Sequence, residues 1–367
     1  MGPDFELDEA QDAIVRLAGE VLDDDAGTPE RLGKALGQAG LLTLAVPVRL
    51  GGAGLGALET ALVITEISRR AVTIPAVSTL GLGVLPVVRW AGPDQQRELL
   101  AGVGEGRVLT AALAEPGDPL PDAPRVTATA SWMVTGTKTA VPDAEQAHRI
   151  LVPVSLATGG VAVALVDPHA PGVTLRRTAT SAGTPEFTVR MDEVTAEPLG
   201  ADVDGRCVAD LHRFAVAAAC AAGDGALAGA LRLTADHVHS RHQFDRPLAT
   251  FQAVAQQIAD IYVTSRTLHL AVLAACWGLD AHRRTDDDSQ PDAVNQADED
   301  LWVAAYWLTG EAPPALRSCH HLHGGLGLAV DYPLHRHGAL LRDLARRLGG
   351  ADHCLHRLGG RVVHRPD

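Results

Sequence analysis

The segment Arg241-His242-Gln243-Phe244-Asp245-Arg246-Pro247-Leu248-Ala249-Thr250-Phe251-Gln252 concentrates side chains suited to holding phosphate. Arginine presents a planar fork of donors that matches phosphate oxygens, and Gln243, Thr250 and Gln252 add neutral polar groups. Further along, His321-Leu322-His323-Gly324-Gly325-Leu326-Gly327 offers a different device. A glycine backbone has no Cβ, so a cofactor can come close and the N–H groups can face phosphate or adenine. A plainer reading of the same residues is a helix C-cap followed by a tight turn. Sixteen histidines, several of them at His320, His321, His323, His335 and His337, raise a metal reading. His-x-His spacing occurs twice in that group, yet no Cys/His set has the spacing of structural zinc. The expectation is polar residues around an interface and a nucleotide pocket, with no metal.

Elements must position these groups. The phosphate-suited segment follows an Ala/Gly-rich helical run and leads into another, which places it at a turn between two long helices. Residues 5 to about 108 read as helices joined by short Gly/Pro turns. Ile14, Leu17, Val21 and Leu22 fall at helical spacing, as do Leu58, Leu62, Val63 and Ile67. From Val108 to about Ala201 the pattern changes to short β-rich runs, including Val126 to Ala130, Ile150 to Val154, Val161 to Val166 and Phe187 to Val189. After Asp202 the helical pattern returns, with a polar interruption at Arg283 to Asp292 that reads as a loop. No internal repeat is visible. The domains expected are 1–108 (α-helical), 109–202 (β-sheet) and 203–367 (a four-helix bundle), an α+β chain.

Composition narrows the function. A chain of 367 residues that is 46% hydrophobic can bury a large core, and with only 4% aromatic residues that core is built from Ala, Val and Leu. A formal charge of −14 argues against a nucleic-acid binder. Five cysteines, Cys207, Cys220, Cys276, Cys319 and Cys354, show no CxxC spacing and read as reduced buried thiols of a cytoplasmic protein. The N-terminus, with Asp4, Glu6, Asp8 and Glu9, shows no basic n-region and no apolar h-region, so no export signal is expected. The most apolar run, Phe214 to Gly223, is far short of a membrane span, so no membrane association is expected.

The R-x-Q-F-x-x-P-x-x-x-F-Q arrangement resembles the flavin-dependent acyl-CoA dehydrogenases, where it closes over the FAD pyrophosphate of a neighbouring subunit. The His321–Gly327 turn, with the trailing Tyr332-Pro333-Leu334-His335-Arg336, is similar to the family's Q-I-x-G-G-x-G and Y-P-x-x-R segments. His321 stands where glutamine is usual, which keeps a hydrogen-bonding group but changes its donor pattern. Val46-Pro47-Val48-Arg49-Leu50-Gly51-Gly52-Ala53-Gly54 resembles a P-E-x-x-G-G-x-G turn with Val48 in place of the acid. Ala112-Leu113-Ala114-Glu115-Pro116-Gly117 and Val134-Thr135-Gly136-Thr137-Lys138-Thr139-Ala140-Val141-Pro142 resemble the two β segments that bond the family's flavin ring. The positions of the flavin-contacting hydroxyls and tryptophan are here Ala114, Ala140 and Pro142, and neither residue type has a side-chain donor. The resemblance covers nearly the whole chain. It implies the acyl-CoA dehydrogenase fold: an N-terminal helical domain, a middle β domain and a C-terminal helical bundle.

Family members remove the α-proton of an acyl thioester with a carboxylate while the β-hydride goes to the flavin. Aligned on the usual E-G-T segment, the glutamate position falls on Leu348 or Gly350 of Arg347-Leu348-Gly349-Gly350-Ala351-Asp352-His353, and neither accepts a proton. Aligned on the L-E-R alternative, it falls on His212 of Asp210-Leu211-His212-Arg213. The candidates that remain are Asp352 and His212. Asp210 lies about 200° around the helix from His212 and points elsewhere. The cofactor-binding residues implied are Arg241, Gln243, Phe244, Gln252, His321, Gly324 and Gly325, with FAD as cofactor and acyl-CoA as substrate. This pattern of retained and missing groups resembles the non-catalytic partner of heteromeric bacterial acyl-CoA dehydrogenases, especially those acting on sterol side-chain thioesters in steroid degradation. It implies a homologous subunit carrying the catalytic glutamate, in a dimer or an α2β2 heterotetramer. Alternatives are a self-sufficient homomeric dehydrogenase using Asp352 or His212, and a flavin-free or oxygenase-like member of the same fold.

Overall fold

The computed structural model describes residues 5–24, 28–285 and 291–362. They divide into two compact units, one of Glu9–Val63 and Thr73–Ala218, the other of Met1–Asp8, Ile64–Val72 and Ala219–Asp367.

The first unit opens with helices α1 (Glu9–Asp24) and α2 (Pro29–Gln38), continues into α3 (Ala57–Arg69), and adds α4 (Leu85–Trp90) and α5 (Pro93–Leu100). Pro29 and Pro93 sit in the first turns of α2 and α5, where the missing N–H has no intrahelical partner to lose. The turn before α3 needs its glycine: a Cβ on Gly52 would lie 2.1 Å from the Val46 carbonyl oxygen. Val48, at the position where the resemblance expected an acid, is 72% exposed.

Eight strands follow: β1 (Val108–Ala111), β2 (Thr127–Ala128), β3 (Met133–Pro142), β4 (Ala147–Leu156), β5 (Val161–Val166), β6 (Val173–Thr178), β7 (Glu186–Thr195) and β8 (Glu197–Pro198). They form one sheet in the order β6-β7-β3-β2-β4-β5-β8, with β1 also pairing β4. The β1–β4 and β2–β4 pairs are parallel and the others antiparallel. Strands β1, β4 and β5 carry runs of consecutive buried residues such as Ile150, Leu151 and Val152, the signature of strands covered on both faces. Strand β6 lies at the sheet edge, and its Arg176 and Arg177 are exposed, which discourages further pairing.

The second unit is helical. Helix α6 (Arg206–Ser240), which begins in the first unit, ends at a small ladder of β9 (His242–Gln243) and β10 (Arg246–Pro247). Then come α7 (Gln252–Thr285), α8 (Pro291–Tyr306), α9 (Ala312–His323), α10 (Leu334–Arg347) and α11 (Gly350–Val362). From Arg206 on, the described residues thus hold six helices, two more than a four-helix count. The small residues of α6 serve close approach: a Cβ on Gly225 would lie 2.1 Å from the Thr65 carbonyl oxygen, and one on Gly229 2.1 Å from that of Arg69. The Thr65 hydroxyl donates to the Ala221 carbonyl (3.1 Å), tying α3 to α6.

The expected loop at 283–292 is shorter than its composition suggests. Residues 283–285 complete α7 and 291–292 open α8, while the remaining five lie outside the described residues. The apolar run Phe214 to Gly223 is likewise part of a longer element. By length and composition α6 could cross a membrane, and 78% of its most apolar window is buried within the protein, as in a core helix. All five cysteines are buried, and none is in a disulfide among the described residues.

Candidate functional site

Two segments of the second unit carry the residues singled out for phosphate and cofactor. The first is the β9–β10 hairpin. The backbone N–H of Arg241 donates to His237 O (2.8 Å) as α6 ends, and Leu248 N–H returns to Arg241 O (2.9 Å) to close the loop. Phe244 and Asp245 make the two-residue turn with φ of 52° and 60°, both left-handed, which matches the twist of a tight hairpin. The Arg246 guanidinium lies 4.0 Å from the Phe251 ring centre, and Phe244 meets that ring edge-on at 6.2 Å. These contacts brace the tip. Arg241, Gln243, Phe244 and Gln252 are exposed, and no described carboxylate forms a salt bridge with the Arg241 guanidinium.

The second segment is the turn that ends α9. Gly324 has φ 58° and ψ −139°, a backbone shape that only glycine adopts without strain. Gly324 and Gly325 are exposed, and a Cβ on either would meet nothing within 4 Å, so their backbone is open to approach. Gly327 differs: it is buried, and a Cβ there would press on His323, His320 and Leu334 at 3.1–3.2 Å. The third glycine of the motif therefore serves packing. His321 is exposed on the last turn of α9.

A ring stack joins the two segments. His237, one turn before Arg241, stacks on His323, the residue before Gly324, at 4.5 Å and 16°. The Nδ1 of His323 is 2.8 Å from the Cys319 carbonyl oxygen, which can only accept, so Nδ1 carries the proton. Its Nε2 is 2.9 Å from the Tyr332 hydroxyl, which then donates to it. Burial, with His323 and Arg241 nearby, holds the His237 pKa below the usual histidine value. Burial and Asp236 raise that of Tyr332. His335 Nδ1 bonds the Tyr332 carbonyl oxygen (2.7 Å). His337 is buried, and burial followed by the charge of Arg232 pushes its pKa down to about 4. His323 and His335 are thus engaged in hydrogen bonds within the protein. Among the described residues no group of three or more His, Cys, Asp or Glu is placed to hold a metal.

The candidate bases lie in different surroundings. Asp352 is exposed in the first turn of α11. Leu348 is buried, and Gly350 sits at φ 81°. His212 is buried in the part of α6 that belongs to the first unit. Asp210 accepts from Trp90 Nε1 (3.0 Å) and Arg213 Nη1 (2.8 Å), with Arg89 Nε at 3.6 Å, so its carboxylate anchors α4 to α6.

In the first unit, the two β segments matched to flavin contacts are clamped by a buried ion pair. Lys138 Nζ is 2.8 Å from Glu115 Oε1, with side chains 0% and 1% exposed. Glu115 also accepts the N–H groups of Arg125 (2.8 Å) and Val126 (3.1 Å). Burial pushes the Glu115 carboxyl up, but Lys138 and the two amides outweigh it and hold it below its usual value. Burial lowers the Lys138 pKa against the pull of Glu115. Thr139 N–H donates to Ala114 O (2.8 Å), and Ala140, at φ 54°, forms part of a bulge in β3. The segments carrying Ala114 and Ala140 are thus held together by this main-chain bond and by the Lys138–Glu115 clamp. Sequence reasoning missed the Glu115–Lys138 pair and the part played by His237. The first joins a loop residue to strand β3 across 23 positions; for the second, the only signal was a histidine four residues before Arg241.

A helical N-terminal part, a β-sheet middle and a helical C-terminal part in this order, carrying the Arg241 hairpin and the Gly324 turn, define the acyl-CoA dehydrogenase fold, and the chain belongs to the acyl-CoA dehydrogenase family. The family's N-terminal domain matches residues 8–107 and its C-terminal domain residues 206–361. The enzymes of this class are flavin-dependent oxidoreductases acting on the CH–CH group of acyl-CoA thioesters. Among curated proteins, acyl-CoA dehydrogenase FadE28 of Mycobacterium tuberculosis is 43% identical over 361 residues, covering 98% of each chain. Among solved structures, the Tcur3481-Tcur3483 steroid acyl-CoA dehydrogenase is 31% identical, with a TM-score of 0.86 over 97% of this chain and 98% of that one. The ChsE4-ChsE5 complex from Mycobacterium tuberculosis is 28% identical, with a TM-score of 0.86 over 99% of this chain and 100% of that one.

Proposed function

We propose that this chain is the subunit of a heteromeric acyl-CoA dehydrogenase that completes an FAD site for a homologous partner without supplying the catalytic base. The observation that carries this is the openness of the candidate site. Arg241, Gln243, Phe244, Gln252, His321, Gly324 and Gly325 are all exposed, although their chemistry suits a dinucleotide. A half-site of this kind is what a second chain would cover. Exposed apolar residues flank it, with Phe244 87%, Leu328 74% and Val330 80% exposed. Large apolar side chains exposed in both segments support burial by a partner.

The donor set fits FAD. Arg241 supplies positive charge for the pyrophosphate; Gln243, Gln252 and His321 supply neutral hydrogen bonds; Gly324 and Gly325 offer open backbone; Phe244 packs at the rim. FAD held by these residues would supply the hydride acceptor for the β-carbon of the acyl thioester. The proton from the α-carbon goes to a carboxylate of the partner, because Leu348 and Gly350 carry no acceptor. The steroid dehydrogenase among the similar structures supports a sterol side-chain CoA thioester as substrate. Domain limits of 1–108, 109–202 and 203–367 and a cytoplasmic location belong to the same reading.

The test is to co-express the chain with a homologous subunit that carries the glutamate and to measure turnover with an acyl-CoA. Asp352→Asn and His212→Gln are each expected to leave turnover within about threefold, whereas removing the partner's glutamate costs about 100-fold or more. A loss of that size from Asp352→Asn or His212→Gln would establish the homomeric alternative, with its base in this chain.

A further inference from the structure

We propose that His237, stacked on His323, is a positioning residue that couples the Arg241 hairpin to the Gly324 turn, so that both halves of the FAD site keep their spacing only while the stack is intact. The FAD part of this inference rests on the reading in Proposed function; the coupling itself rests on the geometry alone.

Three features lead to it. His237 O receives the N–H of Arg241 (2.8 Å), so any tilt of the residue at 237 passes directly into the hairpin. The ring of His237 lies nearly parallel to that of His323 at 4.5 Å, and His323 is directly bonded to Gly324. His323 cannot rotate freely, because one ring nitrogen is held by Cys319 O (2.8 Å) and the other by the Tyr332 hydroxyl (2.9 Å), with Tyr332 ring to ring at 5.1 Å. His237 therefore rests on a fixed plate. Neither motif contains His237, yet its ring contact spans from one to the other.

The stack also has a pH limit. A proton on His237 would place its charge against the face of the His323 ring and near Arg241. Asp236 lies on α6 with His237, Arg241 follows the end of α6, and His320 lies on α9 with His323. Tyr332, His335 and Arg342 complete the titratable and charged surroundings from the turn and α10. The His237 pKa is already below the usual value through burial, His323 and Arg241. The stack is thus intact at neutral pH, and it opens as the pH falls below the range in which a free histidine takes up its proton.

The experiment has two readouts. Hydrogen exchange of the full chain at one fixed pH compares wild type with His237→Gln, which removes the ring, and with His237→Phe, which keeps a ring that cannot be protonated. We expect His237→Gln to speed exchange about tenfold in both 241–252 and 324–330, and His237→Phe to restore protection in both. Faster exchange confined to 237–241, or no rescue by phenylalanine, overturns the coupling. The second readout is FAD retention by the co-expressed complex between pH 8 and pH 5, followed by flavin fluorescence. Wild type is expected to release FAD as the pH falls, and His237→Phe to flatten that dependence. Equal pH dependence in the two proteins overturns the link between stack and cofactor. Arg241→Ala serves as the control: if it leaves FAD retention unchanged, the site reading of the preceding section fails, while coupling seen by exchange stands.

Discussion

Arg241 is the side chain on which the phosphate reading depends most. It is exposed, it stands at the base of a braced hairpin, and no described carboxylate neutralises it by a salt bridge. Arg241→Ala is expected to weaken FAD binding by the complex about 10- to 100-fold, the size of one charge-assisted contact. Equilibrium dialysis of the flavin measures it, and the fold is expected to keep its melting temperature because Arg241 is exposed. Lys138 is the opposite case. Its ammonium is fully buried against Glu115, so Lys138→Met leaves a carboxylate without its counter-charge in the β unit. The expected cost is about 3–5 kcal/mol, read from the urea midpoint. Lys138→Met and Glu115→Gln together should recover part of that loss, since the uncompensated charge is then gone.

At the scale of elements, α10 carries a built-in acid sensitivity. His337 is buried with its pKa near 4 against 6.5 for a free histidine, through burial and the charges of Arg232 and Arg336. The unfolded chain therefore binds the proton first. The stability from the neutral ring is complete above about pH 6.5 and is lost as the pH falls toward 4, on the order of 3 kcal/mol. Melting temperatures at pH 7.5 and pH 5 should show this loss, and His337→Leu should flatten the acid limb. How much of these elements was legible in sequence follows from their chemistry. Val161 to Val166 is found as β5 at its full length, because an apolar, valine-rich run lies between Gly159-Gly160 and Asp167-Pro168. Strand β6 gave no such signal, since an exposed edge of Thr and Arg has no apolar period. The position of the Arg241 segment between two long helices could be read from the runs on either side. Its tight turn could not, because Phe244-Asp245 adopts left-handed backbone without the usual asparagine or glycine. The Gly324 turn was read for its open backbone, whereas the packing role of Gly327 needed the neighbouring histidines in place.

At the scale of the whole molecule, the chain has the acyl-CoA dehydrogenase fold, and the proposed function takes its own flavin contacts and its base to be replaced. Ala114 and Ala140 stand on main chain that is well held, by Thr139 N–H and the Glu115–Lys138 clamp. The scaffold is maintained where the contacting side chains are absent. That combination fits a subunit that works beside a complete relative, and it accounts for the exposed face around Phe244, Leu328 and Val330. The most direct measurement is the flavin absorbance of the purified chain, alone and after co-expression with a homologous subunit that carries the glutamate. The account predicts a colourless lone chain and a yellow complex, bleached by acyl-CoA. A lone chain that is yellow and bleaches with acyl-CoA would contradict it and place the base at Asp352 or His212.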